Sequence, residues 1–110
     1  MLKINIESKP EYIELWQQTG TFTDFKLAAK VPWDDTLVET NTLRGWTDEQ
    51  LQLENAFKRC NIADEGGDGS WTTNEGIVIV DVSHSASVGD LLVVGKQVWF
   101  VAGAGFDKIN

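Results

Sequence analysis

A chain of 110 residues, 42% of them hydrophobic and five of them tryptophan, has the size and apolar content to fold around one core, which argues against both multiple domains and intrinsic disorder. Seventeen acids outweigh nine bases for a formal net charge of −8, so a phosphate backbone would be repelled and direct nucleic-acid binding is not expected. One cysteine, Cys60, and one histidine, His84, leave neither an internal disulfide nor a zinc-holding cluster, as in a reducing compartment.

The charge is unevenly placed. Residues 34–75 hold ten acids against three bases, whereas the rest of the chain is nearly neutral. No apolar run approaches the roughly 18 residues of a membrane helix, and Met1-Leu2-Lys3-Ile4-Asn5 lacks the apolar core of a signal peptide. A single domain spanning 1–110 is expected, in the cytoplasm, with no membrane partner.

In chain order, Leu2, Ile4 and Ile6 alternate with Lys3, Asn5 and Glu7, the period of a half-buried strand. Ser8 and Pro10 suit a helix start, and Tyr12, Ile13, Leu15 and Trp16 recur at three- and four-residue steps before Gly20, so a short helix is expected there. Phe22 to Val31 has the composition of a strand, ended by Pro32. Trp33 to Trp46 is polar and aperiodic, with Thr36 to Thr42 suited to a short edge strand.

Thr47-Asp48-Glu49-Gln50 fits a capping box, and Leu53, Ala56, Phe57 and Cys60 then form one apolar stripe, which predicts a helix packed on a sheet. Ile77 to Val82 is expected as a central strand. Leu91 to Val94 and Gln97 to Val101 flank Gly95-Lys96, the signature of a hairpin whose first turn residue has φ > 0. The predicted fold is α+β: a mainly antiparallel sheet of four or five strands against one or two helices, ending in a β-hairpin.

The loop from Asp64 to Glu75 matches a twelve-residue EF-hand pattern in part. Asp64 falls at position 1, Asp68 at 5, Gly69 at 6, Ser70 at 7, Thr72 at 9 and Glu75 at 12. Gly66 at position 3 removes a carboxylate, and the β-branched run after Glu75 does not suit an exiting helix. Calcium is the one cofactor considered, and a site short of one ligand would be weak, with a dissociation constant of about 10⁻⁴ M or poorer.

Leu53 to Asn61, Gly69-Ser70-Trp71-Thr72, Ser85-Ala86-Ser87-Val88-Gly89-Asp90, Trp99-Phe100-Val101 and Gly105-Phe106 together resemble a family of small uncharacterised proteins of phages, plasmids and integrative elements. These end in an S-x-S-V-G-D hairpin followed by G-F or G-W. The resemblance covers residues 50–109 and implies an accessory protein of a mobile element, with no catalytic residue to carry over. It also implies that Ser85 and Ser87 organise a turn by side-chain hydrogen bonds, that Gly89-Asp90 is a tight turn, and that Gly103 and Gly105 exclude a Cβ. His84 stands where the family pattern has a basic residue.

No residue set carries catalysis. His84 and its neighbours Ser83 and Asp81 are too close in sequence to converge as a triad, Cys60 lies on the apolar stripe, and Gly103-Ala104-Gly105 lacks the third glycine of a dinucleotide fingerprint. The expected function is therefore a non-enzymatic protein-binding module, inhibiting a host defence or regulatory complex. Its partner would be a host or element-encoded protein with a basic surface, met by Trp33, Asp34, Asp35, Trp46, Asp48, Glu49 and Trp71, aromatic anchors ringed by charge. Two alternatives are a weak calcium module using Asp64, Asp68, Ser70, Thr72 and Glu75, and an acidic mimic of nucleic acid.

Overall fold

A computed structural model describes residues 11–19, 24–37, 48–63 and 69–109, with the backbone alone at Asp48. Among the described residues, six strands and one α-helix follow one another: β1 (Tyr12–Gln18), β2 (Phe25–Pro32), α1 (Asp48–Arg59), a 3₁₀ turn (Trp71–Thr73), β3 (Val78–Ile79), β4 (Leu91–Val94), β5 (Gln97–Ala102) and β6 (Gly105–Lys108). All strands join one sheet in the order β3-β2-β1-β4-β5-β6, and every neighbouring pair is antiparallel. The α+β antiparallel architecture is as expected, with six strands rather than four or five.

The first departure is β1, where a helix was expected. Ile13, Leu15 and Gln17 are fully buried on one side, while Tyr12, Glu14, Trp16 and Gln18 point to the other. Apolar residues on both sides of a strand mimic three- and four-residue spacing, and aromatic and β-branched side chains favour the pleated form. Pairing with β2 and β4 satisfies its backbone on both edges. A bulge between Leu15 and Trp16 leaves Ala28 of β2 without an opposite residue, and the Ala28 carbonyl accepts from the N–H groups of Val80 (2.9 Å) and Asp81 (3.0 Å) instead.

Those two bonds explain the second departure. Ile77 to Val82 was expected as a central strand, yet only Val78 and Ile79 pair, at the outer edge beside β2. The chain leaves the ladder at Val80 to meet the bulge, and Lys26 holds Asp81 at 3.2 Å. Composition shows that the run prefers extended backbone, not that it sits at an edge. The expected Phe22–Val31 strand is observed over Phe25–Pro32, and the Trp33 N–H beyond it donates to the Glu11 carbonyl at 2.9 Å. The expected strand over Leu2 to Ile6, the helix start at Ser8 and Pro10, most of the 36–42 segment and the Thr47 cap lie outside the described residues.

The hairpin and the second helix stand where they were expected. Gly95 turns between β4 and β5 with φ +60°. On α1, Leu53 and Ala56 are fully buried, as is Cys60 just beyond its end, and they meet Ile13, Leu15, Val31, Leu92, Val94 and Val101 of the sheet in one cluster that also takes in Trp71. Burial pushes the Cys60 thiol up to about 12, only partly offset by Arg59 and reinforced by Asp90.

The turn ahead of β4 is built differently from the implied serine arrangement. The Asp90 carboxylate accepts from the Ser87 N–H (2.9 Å), and the Asp90 N–H donates to the Ser87 carbonyl (3.1 Å), closing a type II turn with Gly89 at φ +100°. A carboxylate is the stronger acceptor for a half-buried N–H, and Asp90 is 3% exposed. At Gly103 and Gly105 a Cβ would meet nothing within 4 Å, so space does not demand glycine; at Gly105 the backbone does, with φ +130°.

Candidate protein-docking surface

The acidic, tryptophan-bearing segment turns Trp33 and Trp71 inward. Trp71 is 7% exposed and belongs to the core, and Trp33 packs half-buried against that core. Gln52, 3% exposed on α1, grips the strand exit at both backbone groups of Asp34: its Oε1 accepts from the N–H (3.1 Å) and its Nε2 donates to the carbonyl (2.6 Å). The Asp34 carboxylate accepts from the Thr36 hydroxyl (2.5 Å) and N–H (2.9 Å), and these bonds hold it below the usual carboxylate range.

Asp35 is exposed, and Asp48 opens α1. Glu49 is half-buried beside Gln97: with the amide turned so that its NH2 faces the carboxylate, Gln97 donates to Oε1 at 2.9 Å and to Oε2, while its oxygen accepts from Lys108 Nζ at 3.2 Å. Trp46 lies outside the described residues. The segment therefore presents carboxylates with two of its three tryptophans turned into the fold.

Of the residues named for calcium, Asp64 and Asp68 lie outside the described residues. Ser70 caps the 3₁₀ turn, its hydroxyl accepting from the Thr72 N–H (3.3 Å) and sharing a hydrogen bond with the Thr72 hydroxyl (2.7 Å). The Ser70 carbonyl, which an EF-hand would give to the ion, accepts from the N–H (3.1 Å) and hydroxyl (2.7 Å) of Thr73. Glu75 is exposed, and Gly76 at φ +82° turns the chain toward β3 rather than into a helix. Among the described residues, no three His, Cys, Asp or Glu side chains come together as metal ligands.

His84 closes a polar clamp. Buried Gln17 accepts from the Ser83 N–H (2.9 Å) and donates to the His84 carbonyl (2.6 Å), which ties the 83–86 loop to the middle of the sheet. The His84 Nδ1 lies 2.6 Å from the Ser85 carbonyl and 3.2 Å from the Gln17 Nε2, so it stands between an acceptor and a donor. Asp90 lies close by, pushed up by burial and held back by the Ser87 N–H, His84 and Gln17.

The surface that sequence reasoning missed is the sheet face opposite α1. Register places side chains in rows across four strands: Leu27, Trp16, Leu91 and Phe100 form one, and Lys30, Glu14, Val93 and Val98 the next. Tyr12 and Phe25 extend this face at either end of β1 and β2. None of these apolar residues joins the core cluster or packs against it. The first row spans about 14 Å at the usual strand spacing.

Tyr12 is 37% exposed and the others are half-buried. Charge is sparse here: Glu14 stands opposite Lys30 in the register and accepts from the Trp16 indole N–H at 3.0 Å. The signal was present in the uninterrupted apolar runs Leu91–Val94 and Val98–Val101, because a strand with water on one face alternates. Among the described residues no helix is long and apolar enough to cross a membrane. No family model matches the chain, and neither a curated protein nor a solved structure matches it.

Proposed function

We propose that the protein is a non-enzymatic protein-binding module whose docking surface is the α1-free face of its sheet. The observation that carries this is the row Leu27-Trp16-Leu91-Phe100, apolar across four strands and separate from the core. Interface centres are enriched in such aromatic anchors and depleted in charge, and anchors of this kind account for most of the binding energy. The partner presents a complementary apolar patch rimmed by basic groups, because a chain of net charge −8 attracts such a surface and repels an acidic one. The setting is the one the family resemblance implies: an accessory protein of a phage or other mobile element, acting on a host or element-encoded protein in the bacterial cytoplasm.

The carboxylates around Asp34 and Asp35 then steer the approach rather than supply the contact. Three variants separate these roles. Leu91→Lys and Phe100→Lys are expected to keep the wild-type melting temperature within a few degrees and to weaken binding of the captured partner at least about tenfold, mostly through faster dissociation. Asp35→Lys is expected to slow association and to flatten its salt dependence while leaving dissociation unchanged. Calorimetric titration with the purified partner and surface plasmon resonance read both. Unchanged affinity in Leu91→Lys and Phe100→Lys, or their unfolding because that face is internal, would overturn the proposal.

A further inference from the structure

On the helix side of the sheet, away from the docking face, a recess of about 190 Å³ opens between α1 and the β5–β6 turn, lined by Glu54, Phe57, Val88, Val101, Gly103 and Phe106. We propose that it binds one arginine side chain presented by a protein chain. Its volume lies below the roughly 300–1,000 Å³ of small-molecule sites and suits a single side chain.

Three features select arginine. Phe57 and Phe106 meet edge to face, with centroids 6.2 Å apart, and supply aromatic surface for a guanidinium to stack on. Val88, 62% exposed, offers apolar contact to a methylene stem. Glu54 supplies the countercharge. Its carboxylate lies 3.9 Å from Lys58 Nζ, at the outer limit of an ion pair, and the Lys58 side chain is 61% exposed, so this pair is held weakly. A planar guanidinium can meet that carboxylate through two parallel hydrogen bonds, which the compact lysine ammonium cannot. A neutral apolar side chain would desolvate Glu54 without compensation.

The site does not depend on the docking face, and its test reads the two separately. The full ¹⁵N-labelled chain is titrated with N-acetyl-L-arginine N-methylamide and, in parallel, with the neutral citrulline analogue and free L-arginine. The arginine amide is expected to give saturable shifts at Phe57, Val88, Gly103 and Phe106, with a roughly millimolar dissociation constant, and the citrulline analogue to bind several-fold more weakly. Glu54→Gln should abolish that preference, and Lys58→Ala, which removes the competing cation, should tighten arginine several-fold. Absent or scattered shifts, or equal response to citrulline, would overturn the site. Tighter binding of free L-arginine than of the amide would overturn the assignment to a chain-borne residue. Shifts confined to Trp16, Leu91 and Phe100 would place the contact on the docking face instead and overturn this inference alone.

Discussion

Gln17→Leu is expected to destabilise the fold by roughly 2–4 kcal/mol, although leucine fills a fully buried site with a side chain of similar size. Gln17 is 0% exposed and satisfies two backbone groups 66 and 67 residues further along the chain, the Ser83 N–H and the His84 carbonyl. Leucine does neither, and each partly buried group left without a partner costs about 1–3 kcal/mol, discounted here because the loop can turn partly to water. Urea unfolding should show a lower midpoint at an unchanged slope, the mark of altered stability rather than an altered unfolded state. Hydrogen exchange should speed first in the loop around Ser83. A loss well under 1 kcal/mol would show that the clamp is incidental.

Asn74→Asp changes one NH2 to an oxygen and is expected to cost about 3–5 kcal/mol. Asn74 is 4% exposed, and its Nδ2 donates to the carbonyls of Arg59 (2.9 Å) and Ile62 (2.8 Å), satisfying groups that the end of α1 leaves over. A carboxylate there would face two carbonyl oxygens at the negative end of the helix dipole, with its donor gone. Its folded pKa would be raised above the unfolded value, so the folded state would bind the proton more tightly. The penalty is therefore greatest at neutral pH and shrinks as pH falls through that raised value, when one donor returns. Thermal unfolding of wild type and variant across an acid series reads this directly. A gap that stays constant with pH would show that the amide donates nothing of consequence.

What was legible in the chain was whatever depended on short-range chemistry. Gly95 between two apolar runs specifies a hairpin, because few residues adopt positive φ cheaply, and Leu53, Ala56 and Cys60 specify a helical stripe. What was not legible depended on where a segment lies in the sheet. Tyr12 to Trp16 carries apolar groups on both faces, so its spacing fits a helix as well as a central strand, and the pairing with β4, some 80 residues away, decides it. Val78 and Ile79 look central by composition and lie at the edge because only β2 pairs with them, and the chain leaves that pairing at Val80 to meet the Ala28 carbonyl.

The docking set was obscured for the same reason. Acidic residues around Trp33 and Trp71 gave the pattern of charged groups ringing aromatic anchors, yet both tryptophans serve the interior. The apolar row that faces away from the core is assembled from β1, β2, β4 and β5, and no window of the sequence contains it. Periodicity within a strand reports how many faces are covered, not what covers them.

The most direct test of the docking face is site-specific photo-crosslinking in cells. Phe100→p-benzoylphenylalanine, which keeps the phenyl ring of the apolar row and adds a benzoyl group at its para position, and Asp35→p-benzoylphenylalanine, on the exposed acidic turn, are compared by mass spectrometry of the adducts. The proposal predicts one stoichiometric adduct from position 100, lost when Leu91→Lys is added. Adducts from position 35 alone, with none from position 100, would contradict it and return the contact to the acidic segment.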